Sequence, residues 1–520
     1  MKSFGKKSIL KNAVGIGGLS LLSKCLGIIR EVLMVRFLGV GAISDAFLTA
    51  YKLPNSLRKI FAEGALSAAM VPTLVSVVHT DGKKAVNSLI SLAFLVFEGA
   101  LLIICGLVIW KASLVISFFA PGFSSTQVSY TVPYLRILMP FIFFLSSSAL
   151  LAGALQSIRH FFVPAFSPAL LNVFFISSLI ICLTKSLPVE YLCVFILFGG
   201  FVQLLLHIFI YIRLGFRFSA IDARAWHYFK IVIIKFLPCL VSMSVMELGL
   251  VVDTAFASYL PSGSISLVYY ANRFVGIPLS VFAVSFSTVL LPHFSRVVMY
   301  APKRIGFYLL ESAKFVLWIT LPTVLIMGFF SEKIFETLFL SKKFSLMQVS
   351  EAGMILTAFL FGLFFFSLNK ILLNMYYAKH NTWIPTVVTF VAVGCNIVLD
   401  YYLIKVLYAT GLALATSIAF AIQVCLLIWF LHVKFGIKLY IAKFFSFAYR
   451  YCLQLFVVTV LMFYLYRFIE SLIIKLPHSF SVFLIHNVGF WLWVGPLIIL
   501  MFLTIFYTRK LFKIKLYFLD

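Results

Sequence analysis

The sequence predicts an all-α integral membrane protein. About fourteen transmembrane helices form two pseudo-symmetric six-helix lobes around a central cavity, with two more helices at the C-terminus. Three observations predict it. Of the 520 residues 63% are hydrophobic and only 11% charged, and apolar runs long enough to cross ~30 Å of hydrocarbon recur from end to end. Lys and Arg gather in alternate connections, as they do on the cytoplasmic side of a polytopic chain. The pattern of the first half also returns in the second, at an offset near 222 residues.

The predicted spans of the N-lobe (1–222) are 12–38, 43–75, 86–111, 130–157, 160–184 and 189–213. Those of the C-lobe (223–440) are 229–259, 265–298, 305–330, 348–378, 382–405 and 409–433. Spans 443–468 and 486–508 complete the C-terminal segment (441–520). Lys6, Lys7 and Lys11 precede the first span, Lys83 and Lys84 follow the second, and Arg213, Arg217 and Arg224 follow the sixth. Lys303 and Arg304 follow the eighth, and Arg509, Lys510, Lys513 and Lys515 the last. Connections 39–44, 112–129 and 260–264 are nearly free of charge, while 331–347 and 469–485 are mixed. This asymmetry places both termini in the cytoplasm, and the basic start leads into a long span rather than a cleaved signal peptide.

Composition also excludes several classes. The net charge of +26 belongs to short loops and marks orientation, not a nucleic-acid surface. Eight cysteines and nine histidines show no metal-ligand or disulfide spacing, and no phosphate loop or serine elbow appears.

At the repeat offset of 222, FLGVGAIS (37–44) lies on YLPSGSIS (259–266) and Glu31 on Asp253. A shift of 221 superposes Pro164 on Pro385. An even number of helices per repeat gives both lobes the same orientation, with a site expected at their interface.

The second span carries Asp45, Lys52, Arg58, Lys59 and Glu63. Ionisable groups at membrane depth are costly, so five in one span need a reason. At 100° per residue Asp45, Lys52, Lys59 and Glu63 form one stripe, within about 40°. Pro54 and Gly64 predict a kink. With Lys24, Arg30 and Glu31 of the first span, these residues suit one wall of a cationic, water-filled cavity for an anionic head group. Arg273 is the charge retained by the counterpart helix of the second lobe. The competing reading pairs these charges off as inter-helix salt bridges. Asp253, Asn396, Asp400 and Thr416 offer hard oxygen donors that suit a small cation such as sodium. The competing reading makes Asp400 interfacial and Asp253 a partner of Arg273. Glu98 and Glu247 are undecided between buried carboxyl and lobe contact.

Several stretches then resemble a known family. LGIIRE, SDAFLTAYKLPNSLRKIFAEGALSAAMVP, APGF (120–123), FFVPAFSPALLN (161–172), SGSISLVYYANR and TVLLPHFS (288–295) are similar to the MurJ (MviN) lipid II flippases. That family lies within the multidrug/oligosaccharidyl-lipid/polysaccharide exporter superfamily. The resemblance implies a transporter, not an enzyme, that moves lipid II between leaflets of a bacterial plasma membrane by alternating access. It implies substrate contacts at Lys24, Arg30, Arg58 and Arg273 and at the acidic motif positions Asp45 and Glu63, with a gate carboxylate at Glu31. Position 24 is usually arginine in the family; lysine keeps the charge but loses the bidentate fork. It further implies sodium as coupling ion on Asp253, Asn396, Asp400, Thr416 and the Leu412 backbone, and a lipid-tail groove in 443–508. The partners implied are lipid II, membrane lipids and the cell-wall synthesis machinery. Rival readings are an exporter of drugs or of another polyprenyl-linked glycan, a membrane transferase using Asp45 and Glu63, and a scaffold.

Overall fold

Caps written into the sequence start several of the helices. Ser124 accepts from the Gln127 N–H while the Gln127 side chain returns to the Ser124 N–H, and Ser345 with Gln348 repeats the device. Asp222 caps the next helix by accepting from the Ala225 N–H at 2.8 Å, a bond that holds its carboxyl below the usual carboxylate range. The computed structural model describes residues 23–158 and 160–519, apart from the side chains at 62–65, 68, 242, 246, 288, 289 and 292.

Among these residues the chain is helical nearly throughout, and one isolated bridge joins Ser341 to Phe344. The helices are α1 (23–38), α2 (Ala42–Arg58), α3 (Ser67–Thr80), α4 (Gly82–Ala93), α5 (Gly99–Trp110), α6 (Ala112–Phe119) and α7 (Ser125–Leu138). Then come α8 (Phe141–Ser157), α9 (Phe162–Thr184), α10 (Val189–Arg213), α11 (Ala223–Ala257), α12 (Ser264–Pro278), α13 (Ser285–Tyr300) and α14 (Ile305–Phe329). The last are α15 (Ser331–Phe339), α16 (Leu346–Ala378), α17 (Trp383–Val433), α18 (Ile441–Ile474), α19 (His478–His486) and α20 (Phe490–Thr508). Wide π turns interrupt the helices at Lys59–Leu66, Phe94–Glu98 and Leu279–Val284. The first and third begin 220 residues apart, close to the repeat offset.

Eleven helices among the described residues are long and apolar enough to cross a membrane. They cover twelve of the fourteen predicted spans, because α17, 51 residues long, takes in two and bends at Tyr408. The predicted span 12–38 begins outside the described residues. Span 43–75 resolves into α2, a π turn and α3. Its charges and its break keep it off an apolarity count, so the number fourteen is not established that way. The predicted kink at Pro54 is not a break: α2 runs through it to Arg58, and the helix widens only afterwards.

The chain divides into two compact units, Met1–Ser266 and Leu267–Asp520. In the first, α4, α8 and α11 share a core built on Val86, Leu89, Leu150, Leu151, Val232 and Phe236. Lipid offers little hydrophobic drive between helices, so close backbone approach matters. A Cβ on Gly200 of α10 would stand 2.7 Å from the Phe141 ring of α8, so only glycine fits there. Glu98 is buried at the π turn before α5 and accepts from Ser146 at 2.7 Å. In the second unit α18 and α20 pack through Tyr451, Leu455, Met501 and Ile505. Gln454 ties them by donating to the Ile505 carbonyl at 2.8 Å and to Thr508 at 2.7 Å.

Candidate functional site

The charged stripe of α2 faces α11 and the turn that follows it. Asp45 is buried, and both of its oxygens accept hydrogen bonds. Gly263 N–H donates at 2.6 Å, Ser266 N–H at 2.9 Å and the Ser266 hydroxyl at 2.5 Å. Ser44 sets up this contact by accepting from the Gly41 N–H and donating to the Gly41 carbonyl, both at 2.9 Å. Gly263 has φ +102°, and a Cβ on it would lie 2.6 Å from Val40. The turn can therefore approach α2 only with glycine at that position. Expected as a substrate contact, Asp45 is in this conformation a clamp, because charge-assisted bonds inside the protein engage its carboxylate.

Further along the stripe Lys52 donates to the Leu250 carbonyl at 2.6 Å and to the Thr254 hydroxyl. Lys59 meets Glu247 at 3.1 Å. The partners run backwards along α11 as the lysines run forwards from α2 into the π turn, so the two segments are zipped antiparallel. Glu247, undecided from sequence, is thus a salt-bridge partner, and for Lys59 the pairing reading describes the structure.

Arg58 sits one position off the stripe and points elsewhere. It shares a cavity of about 320 Å³ with Arg30, Tyr51, Asn172, Gln203 and His207, walled by α1, α2, α3, α8, α9 and α10. The Arg58 guanidinium rests on Asn55 Oδ1 at 2.9 and 3.1 Å. Arg30 donates to Asn172 Oδ1 at 3.0 Å and to Glu31 Oε1 at 2.6 Å, and lies 5.1 Å over the Phe175 ring. Asn172 in turn donates to the Ser23 carbonyl at 2.9 Å, which holds α1 against α9. Two guanidiniums in a polar pocket at membrane depth can grip oxyanions with paired N–H groups.

Among the described residues, the lining of this pocket includes none of the other site candidates. Lys24 is exposed on α1, and Glu31 is buried beside Arg30. Glu63 lies in the π turn, with its side chain outside the described residues. Arg273, on α12 in the second unit, is exposed, donates to the Tyr269 hydroxyl at 2.6 Å and stacks 4.6 Å from that ring. Asp253 is half-buried on α11. In α17 Asn396 Nδ2 donates to Asp400 Oδ2 at 2.9 Å, and Thr416 donates to the Leu412 carbonyl at 2.9 Å. Asp400 is fully buried. These donors are amide, carboxylate, hydroxyl and carbonyl oxygens, a set that fits sodium.

One cluster was not anticipated. The mixed-charge connections fold as α15 and α19. Glu336 of α15 meets Lys333 at 2.7 Å and His486 of α19 at 2.6 Å, while Trp491 of α20 donates to Thr337 at 2.9 Å. Burial pushes the Glu336 carboxyl up, but the His486 and Lys333 bonds and charges outweigh it and leave the group below its ordinary range. Spacing within one connection could not reveal partners 150 residues apart.

Residues 34–486 match the family described as lipid II flippase MurJ. A probable lipid II flippase MurJ of Buchnera aphidicola subsp. Schizaphis graminum is 31% identical over 482 residues, covering 89% of this chain and 91% of the relative. The lipid II flippase MurJ of Burkholderia cenocepacia is 30% identical over 431 residues, covering 81% and 83%. Among solved structures, a lipid II flippase MurJ in an inward closed conformation superposes with a TM-score of 0.76 at 26% identity, covering 95% of this chain and 99% of that one. An inward-facing multidrug resistance MATE family transporter gives 0.63 at 14% identity, covering 80% and 97%, a likeness of fold alone.

Proposed function

Because this chain belongs to the lipid II flippase MurJ family, we propose that it carries lipid II from the cytoplasmic to the outer leaflet of a bacterial plasma membrane by alternating access. The observation that carries the reading is the polar pocket at membrane depth into which Arg30 and Arg58 project. Their guanidiniums suit the pyrophosphate of the head group, and Lys24, Arg273 and Glu63 complete the set that the resemblance supplies. The undecaprenyl tail stays in lipid beside α18 and α20, where Phe456, Tyr464 and Leu492 are exposed. Both termini face the cytoplasm, which puts the Asp45 clamp on the outer side. Breaking that clamp is then part of opening outward. Bound sodium would supply positive charge that biases the conformational equilibrium. Asn396, Asp400, Thr416 and the Leu412 carbonyl would hold it, with Asp253 added by the resemblance. The cell-wall synthesis machinery is a candidate partner.

The test is depletion of the protein in cells with no other flippase, followed by measuring how much lipid II is reachable from outside. We expect it to disappear from the outer leaflet, and normal exposure would overturn the reading. Arg30→Ala and Arg58→Ala should abolish rescue while leaving the protein inserted and folded.

A further inference from the structure

His207 lines the same pocket from α10, is buried, and is bonded at both ring nitrogens. Nδ1 lies 2.9 Å from the Gln203 carbonyl, which can only accept, so a proton belongs on Nδ1. Nε2 lies 3.2 Å from the Ser167 hydroxyl of α9, whose oxygen is also 2.7 Å from the Val163 carbonyl. That single hydroxyl hydrogen has two destinations. With neutral imidazole it points at Nε2. With imidazolium it turns to Val163, and Nε2–H donates to the serine oxygen. The ring can thus gain or lose a proton while every bond around it stays satisfied. Gln203, also buried and lining the pocket, keeps an Oε1 with no hydrogen-bond partner among the described residues, an acceptor waiting for a donor in the cavity.

We propose that His207 is an intramembrane proton-binding site whose occupancy is linked to that of an oxyanion in the pocket. The inference rests on reading the pocket as an anion site and adds a proton to it. The groups facing His207 set the sign. Arg30 from α1 and Arg58 from α2 line the pocket as cations, Glu31 is bonded to Arg30, and Tyr51 of α2 also lines it. Of the other elements packed on α10, α8 has no titratable group, α9 has only Cys182, and α7 has Tyr130, Tyr134 and Arg136. An oxyanion in the pocket adds a negative charge that favours the imidazolium, so anion binding takes up a proton, and by reciprocity protons strengthen anion binding.

The experiment uses the full chain in nanodiscs with sulfate, whose charge is constant between pH 5.5 and 8 (buffer values chosen to bracket an ordinary histidine, about 6.5). Histidine ¹⁵N spectra, with the His207 signal assigned by its loss in His207→Gln, report the protonation state, and calorimetry in buffers of different ionisation enthalpy counts protons. We expect sulfate to convert His207 to imidazolium, and its affinity to rise as pH falls, by at most about tenfold per pH unit for one linked proton. Ser167→Ala should shift the signal without removing it. If sulfate binds and needs Arg30 and Arg58, yet His207 stays neutral and no proton is taken up, the proposal fails and the pocket reading stands. If sulfate fails to bind at every pH, both fall. Where His207→Gln does not fold, the signal that Ser167→Ala shifts assigns His207, and the calorimetric proton count on the wild type decides.

Discussion

Ser44 and Ser266 stand 222 residues apart in sequence, and their hydroxyl oxygens lie 2.8 Å apart. The repeat offset that aligns the two residues therefore also brings them together, and Asp45 fastens the contact. Asp45→Asn keeps the shape but gives up an anionic acceptor. A hydrogen bond to a charged group is worth ~1.5–3 kcal/mol, so closure should weaken by about 2 kcal/mol, or roughly thirtyfold in the open-to-closed ratio. Labelling of a cysteine at Val40 by a membrane-impermeant maleimide, in a background without the native cysteines, should accelerate accordingly. Gly263→Ala should act in the same direction through steric clash. Unchanged labelling in both variants would contradict the clamp.

The α2–α11 zipper predicts unequal single and double variants. Lys59→Met leaves Glu247, whose side chain is 13% exposed, without its cation. The melting temperature in detergent should fall, and Lys59→Met with Glu247→Gln should recover part of the loss. Because Lys59 is 38% exposed, the coupling should not exceed about 1 kcal/mol. Additive losses would show that the pair contributes nothing.

Tyr408, at φ 50° and ψ −132°, carries the bend of α17 in the left-handed region. Glycine occupies that region without the Cβ conflict, so Tyr408→Gly should stabilise the protein by about 1 kcal/mol. A β-branched Tyr408→Val should destabilise it by a similar amount. Thermal unfolding of the two variants beside wild type checks the ordering.

The Glu336 cluster predicts a pH response outside the membrane. A carboxyl whose pKa is lower in the folded state stabilises fully above its unfolded value, about 4.3 for glutamate. That stabilisation is lost as pH falls through the folded value. Docking of α15 on α19 should therefore survive mild acid and fail only below the ordinary carboxylate range. His486→Ala removes a bond that lowers Glu336 and should move the failure to higher pH. Hydrogen exchange in 331–339 across a pH series reads it; an unchanged midpoint in His486→Ala would contradict the assignment.

Membrane spans were legible because apolar length and loop charge are one-dimensional properties, readable without knowing any partner. The family was legible from the α2 motif for the same reason. What each charge does was less so. A stripe computed at 100° per residue grouped Asp45, Lys52 and Lys59, and all three do face one way. Nothing along the chain, however, says whether the opposing surface is water or α11. Arg58 reaches the pocket because it lies off that stripe, and in the sequence His207 is one of several histidines without ligand spacing. Its pocket is assembled from six helices, a relation no local pattern encodes. The α15–α19 cluster, with partners 150 residues apart, is encoded by no local pattern either.

The π turns bear on how a helix tolerates a change of length. Adding one residue to an α-helix rotates everything beyond it by about 100°, which would turn a buried face outward. A widened turn absorbs the extra residue and leaves the downstream face where it was. The offset between the halves is 222 at Ser44 and Ser266 but 221 at Pro164 and Pro385, and the paired π turns start 220 apart. Single-residue insertions and deletions thus have somewhere to go. Aligning either half against its relatives should place gaps inside Lys59–Leu66 and Leu279–Val284 rather than in the flanking loops.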